Sequence, residues 1–162
     1  MYYFVCKVKS ERIDNDGLNK SVTESFLLEA ESHANAENRI IEQVAQFSEG
    51  AVEVISVKKV KIGDIFGFEN KDGDKFYKVK VAFISFDEDR QIEKRKVVTS
   101  IVMSDSCENA LKEIKAGLSG SMSEYVITGI DETPIIDFFP YEETTEKAFY
   151  DDDPQQEDNI IK

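Results

Sequence analysis

The chain has 162 residues, a formal net charge of -13 and a 41% hydrophobic fraction that includes 17 aromatic side chains. That is enough apolar material for one ordinary domain, or for two very small ones sharing a core, and too much for a disordered chain. Two cysteines and one histidine are too few for a disulfide framework or a zinc cage, no uncharged apolar run is long enough to cross a bilayer, and the excess of acid argues against nucleic-acid binding by bulk charge.

The first predicted elements lie in YYFVCKVKS. Phe4, Cys6 and Val8 alternate with Tyr3, Val5, Lys7 and Lys9, the period of a half-buried strand. Turn residues follow at Asp14-Asn15-Asp16-Gly17, and SVTESFLLEA then predicts the second strand of a hairpin. Ser32 is placed to cap a helix over HANAENRIIEQVAQF, in which Ala36, Ile40, Val44 and Phe47 make one apolar stripe. A strand over AVEVISVKKVK and a short apolar phrase, KIGDIFGF, close this stretch.

The same series returns about 73 residues later. FVCKV is answered by YKVKV, SVTESFLLEA by KVVTSIVMS, and the capped helix by Ser106 ahead of CENALKEIKAGL with its stripe Ala110, Ile114 and Leu118. VISV is answered by VITG and KIGDIFGF by PIIDFFPY, so that Asp64 and Phe66 match Asp137 and Phe139. The pattern predicts an α+β fold, a duplicated β-β-α-β unit whose antiparallel sheet is covered on one face by two helices. The expected divisions are a first unit at 1–68, a hinge at 69–75, a second unit at 76–141 and a disordered acidic tail at 142–162. Each echoed phrase is expected to pack under its own unit's helix, with Phe66 and Phe139 at equivalent buried positions. The pattern leaves open whether the two sets of strands form one continuous sheet.

Signatures of catalysis are missing. His33, near a predicted helix start, has no cysteine or glycine-flanked serine nearby, no glycine-rich phosphate loop opens a helix, and DNDG, DGD and DED read as turns rather than calcium loops. No enzyme activity, metal or cofactor is expected.

Two features remain. Tyr3, Lys7 and Lys9 share one strand face in the first unit, as Phe76, Lys78 and Lys80 do in the second. Rings interleaved with ammonium groups on an open sheet are suited to single-stranded nucleic acid, with bases on rings and phosphates on lysines. The plain alternative is a solvated face whose lysines discourage edge pairing. The second feature is the tail, in which Phe149-Tyr150 precedes Asp151-Asp152-Asp153 and eight acids stand against two lysines. Such a tail would either compete with nucleic acid for the basic face or recruit a protein partner. In composition it resembles the tails of bacterial and phage single-stranded DNA-binding proteins, although those typically end in an aromatic residue and this one ends Asn159-Ile160-Ile161-Lys162.

With FVCKVK, VTESFLLEA and EYVITGIDETPIIDFFPY in view, residues 1–141 resemble an uncharacterised small domain family associated with gut anaerobes, their phages and mobile elements. The resemblance implies an accessory protein of replication, recombination or host takeover in the cytoplasm of a bacterial host, and it brings no activity or site residues. The leading expectation is a non-enzymatic module binding single-stranded nucleic acid. The alternatives are an acidic protein-binding adaptor or inhibitor that mimics the charge of DNA, and a virion component.

Overall fold

The computed structural model describes residues 1–68 and 73–141. The predicted hinge falls partly, and the predicted tail from 142 onward wholly, outside the described residues. Among the described residues ten elements run in the order β1 (Tyr2–Ile13), β2 (Asn19–Ala30), α1 (His33–Ala45), β3 (Glu53–Val60), β4 (Ile65–Phe66), β5 (Lys75–Asp87), β6 (Ile92–Ser104), α2 (Cys107–Gly117), β7 (Glu124–Glu132) and β8 (Ile135–Phe139).

Local sequence explains most boundaries. The β1–β2 hairpin is in register from Tyr2 opposite Ala30 to Ile13 opposite Asn19. Its turn is held by the Asp14 carboxylate, which accepts from the Asp16 and Leu18 amides at 3.0 and 2.9 Å. Asp87 does the same for Asp89 and Arg90 in the β5–β6 turn. Both helices start at the expected serines, with the Ser32 hydroxyl accepting from Asn35 N at 3.1 Å and that of Ser106 from Asn109 N at 3.2 Å. Ala36, Ile40 and Val44, like Ala110 and Ile114, are buried. Phe47 continues the stripe of α1 but is 39% exposed, under the guanidinium of Arg12, which is ion-paired with Glu24.

The strands form two four-stranded sheets, in the orders β3-β1-β2-β8 and β4-β6-β5-β7. Each is antiparallel except for one edge strand: β8 runs parallel to β2, and β4 parallel to β6. The two sets of strands, whose joining the sequence left open, thus form separate sheets, and the parallel edge strands and the placing of one helix on each sheet depart from the expected antiparallel sheet with both helices on one face. Phe4, Cys6 and Val8 meet α1 in one core, while Tyr77, Val79 and Val81 meet α2 in another. A third core contains no helix residue and is built from Tyr3, Val5, Leu27, Phe76, Ile101, Met103, Ile135 and Phe138. The faces turned away from the helices therefore pack on each other, giving the layer order helix, sheet, sheet, helix.

The echoed phrases also sit differently from expectation. Phe66 and Phe139 do occupy matching positions, opposite Val102 on β6 and Leu28 on β2. Each, however, packs under the helix of the other half: Phe66 joins the α2 core and Phe139 the α1 core. Two-residue β4 and five-residue β8 are exchanged arms that cover the β6 and β2 edges, and Arg39 of α1 latches the second arm by donating to Pro140 O at 3.1 Å and stacking over Tyr141.

Candidate functional site

Exchange of the arms makes a recess where the two connections cross between sheets. Residues 61–64 leave β3 and run along β6, with Gly63 N donating to Thr99 O at 2.8 Å and Ile101 N to Asp64 O at 3.0 Å. In the other direction, Thr133 bends the chain out of β7: its amide and hydroxyl both donate to Phe76 O, at 2.9 and 2.7 Å, and the hydroxyl accepts from Ile135 N. Between the crossovers lies a slot of about 390 Å³ with Val5, Val60, Ile62, Ile101 and Ile135 as apolar lining and Lys61 and Lys78 as its cations.

More ammonium groups stand around it. Lys58 lies directly opposite Val5 in the β1–β3 ladder, and Lys7 and Lys80 lie two residues along the same strand faces from Val5 and Lys78. Asp131, opposite Lys78 on β7, is the nearby counter-charge in the ladder. Among the described residues none of Lys7, Lys9, Lys58, Lys61, Lys78 and Lys80 is in an ion pair, whereas Lys75 and Lys94 pair with Glu132 and Asp87.

Tyr3 and Val5 are neighbours on the inner face of β1, yet they line different recesses. Tyr3 lines a hollow of about 740 Å³ with Glu29, Asp64, Glu113, Phe66, Phe68 and Phe138. Burial pushes the Tyr3 hydroxyl above its ordinary pKa, and the carboxylates of Glu29 and Asp64 add to the shift. The hollow is thus an acidic counterpart to the basic slot. The described residues contain no cluster of histidine, cysteine and carboxylate side chains arranged to hold a metal ion.

The six residues of the expected platform are therefore divided. Phe76 is fully buried in the core between the sheets and has no face to offer a base. Tyr3 is half-buried, its ring 6.4 Å from that of Phe138. Lys7, Lys9 and Lys80 are exposed on the inner strand faces and Lys78 is half-buried in the slot. Packing thus takes up Phe76 and part of Tyr3, whereas Lys7, Lys9 and Lys80 remain exposed. Phe149, Tyr150, Asp151, Asp152 and Asp153 lie outside the described residues. Lys58 and Lys61, absent from the expected platform, lie in the strand segment AVEVISVKKVK. Their roles depend on the ladder opposite Val5 and on the crossover, neither of which a local pattern encodes.

His33 is exposed at the start of α1, its ring edge-on to Phe4 at 5.0 Å. Cys107 is exposed, and Cys6 is buried in the first core, where burial pushes its thiol up to about 11. Among the described residues no helix is long and apolar enough to cross a membrane. No curated protein and no solved structure matches the chain. The sequence profile of a domain of unknown function, DUF4494, matches residues 2–141, which takes in every strand and helix described above, and the chain belongs to that family.

Proposed function

We propose that the protein is a non-enzymatic binding module for single-stranded nucleic acid, held by its phosphates rather than by stacked bases. The observation that carries this reading is the group of lysines around the slot, Lys7, Lys58, Lys61, Lys78 and Lys80, free of ion pairs among the described residues. Lys9 extends the group along β1. An exposed lysine on a sheet contacts a flexible phosphate backbone without requiring a fixed base geometry, and each such contact releases counterions. The shared order of elements in the two halves, with matching arms, supports an internal duplication that brought two basic strand faces together. The family resemblance supports a role as a phage or mobile-element accessory factor in the bacterial cytoplasm.

Fluorescence anisotropy with a labelled oligothymidylate tests the reading. Binding is expected to weaken steeply between 50 and 200 mM salt, roughly tenfold or more for several phosphate contacts. Lys7→Glu with Lys80→Glu is expected to abolish it. No salt-sensitive binding at low ionic strength, even when Asp151, Asp152 and Asp153 are replaced by asparagine, overturns it.

A protein-binding adaptor is the second reading, and the acidic hollow with its exposed Phe68 supports it. A basic partner that is released by Asp64→Asn and retained by the lysine variants would favour that alternative.

A further inference from the structure

The slot and the C-terminal sequence carry opposite chemistry. The slot offers an aliphatic lining under Lys61 and Lys78, with Lys58 and Lys7 beside it. The sequence after Tyr141 offers two aromatic rings followed at once by three carboxylates, Phe149-Tyr150-Asp151-Asp152-Asp153. We propose that this segment folds back onto its own chain and seats in the slot, an aromatic ring against Val5, Ile62, Ile101 and Ile135 and the aspartates on Lys61, Lys78 and Lys58.

Chain length permits the return. Ile135 lines the slot and β8 leads away from it to Tyr141, six residues or about 20 Å of extended chain. The eight residues from Tyr141 to Phe149 span up to about 27 Å. Charge selects this recess over its neighbours. Glu29, Asp64 and Glu113 line the hollow and would repel the aspartates, while the groove beside β7, lined by Leu111, Ile127 and Ile130, presents Lys115 as its one cation among the described residues. Elsewhere Arg12 is paired with Glu24, Arg39 is bound to Pro140, and Lys59 lies over the Tyr2 ring. Burying a ring in an aliphatic slot and pairing several charges at its rim is the usual anatomy of a short docking motif.

The docking itself does not depend on the nucleic-acid reading. Its consequence does: a tail seated on Lys58, Lys61 and Lys78 occupies the same cations that would hold phosphates, so binding of a strand would require the tail to leave.

The test uses the full chain with no oligonucleotide present, so that its failure is distinct from a failure of strand binding. A nitroxide is placed at Gln155→Cys in a Cys107→Ser background, Cys6 being buried, and isoleucine methyl signals are recorded. Ile62 and Ile135 are expected to lose most of their intensity, and to regain it with Phe149→Ala and Tyr150→Ala together or with Lys61→Glu and Lys78→Glu together. The tail variant alters no residue of the folded body, so it decides the matter even if the lysine variant is poorly folded. Retained intensity at Ile62 and Ile135 overturns the proposal, as does loss centred on Ile127 and Ile130. Broadening that appears only when spin-labelled chains are mixed with separate isotope-labelled chains places the tail on a second copy and overturns it as well.

Discussion

Phe76 and Lys78 are two residues apart on one strand face and meet opposite fates, the first sealed in the core between the sheets and the second at the rim of a slot. Truncating Phe76 removes a ring from a fully enclosed site, so Phe76→Ala is expected to cost about 3–5 kcal/mol in urea unfolding. A loss under about 1 kcal/mol would mean that the sheets do not pack face to face. Cys6 gives a pH dependence with a definite sign. Its folded thiol ionises near 11, above the ordinary thiol range, so the unfolded chain loses this proton first. The contribution to stability is complete below the ordinary thiol pKa and is lost as pH rises toward 11. Urea midpoints measured from pH 7 to 10.5 are expected to fall more steeply for the native chain than for Cys6→Val.

Among the elements, the exchanged arms make the most distinctive prediction. Phe139 belongs in sequence to the second half but stacks at 5.6 Å on Phe26 in the first. Phe139→Ala is therefore expected to cost about 3 kcal/mol and to raise amide exchange in β1, β2 and α1 before β5, β6 and α2. Phe66→Ala should show the reverse order, and equal loss in both halves would contradict the exchange. Gly117, the last residue of α2, tests the same packing: an added Cβ would fall 2.4 Å from the Phe66 ring. Alanine there gains helix propensity but overpacks the arm, so Gly117→Ala is expected to destabilise by about 1 kcal/mol net in urea unfolding. The hairpins, both serine caps and both helix stripes were legible because each is a local pattern. The arms were legible only as a matched phrase, since two-residue β4 has no period to read and its partner, β6, is remote in sequence.

For the molecule as a whole, strand alternation shows that a strand has two different faces without showing what each one meets. Tyr3 and Phe76 interleaved with lysines look the same whether the second face contacts water or another sheet, and here it contacts both along its length. That ambiguity turned a buried intersheet core into an expected stacking platform. The lysines on the same faces reach solvent because an ammonium group on a flexible stem extends to the edge of a packed interface where a phenyl ring does not.

The crossing of the two arms also bears on how the protein emerges from the ribosome. The first half finishes its hairpin, helix and third strand by Val60, yet the strand that covers the β2 edge arrives with Ile135–Phe139, about 75 residues later. At translation speeds of roughly 5–20 residues per second, the nascent β2 edge and the side of the α1 core that Phe139 fills stay open for on the order of ten seconds. During that interval the β8 segment of another nascent chain could add to the open edge, so crowding of ribosomes on one message favours intermolecular pairing, and slower initiation favours the monomer.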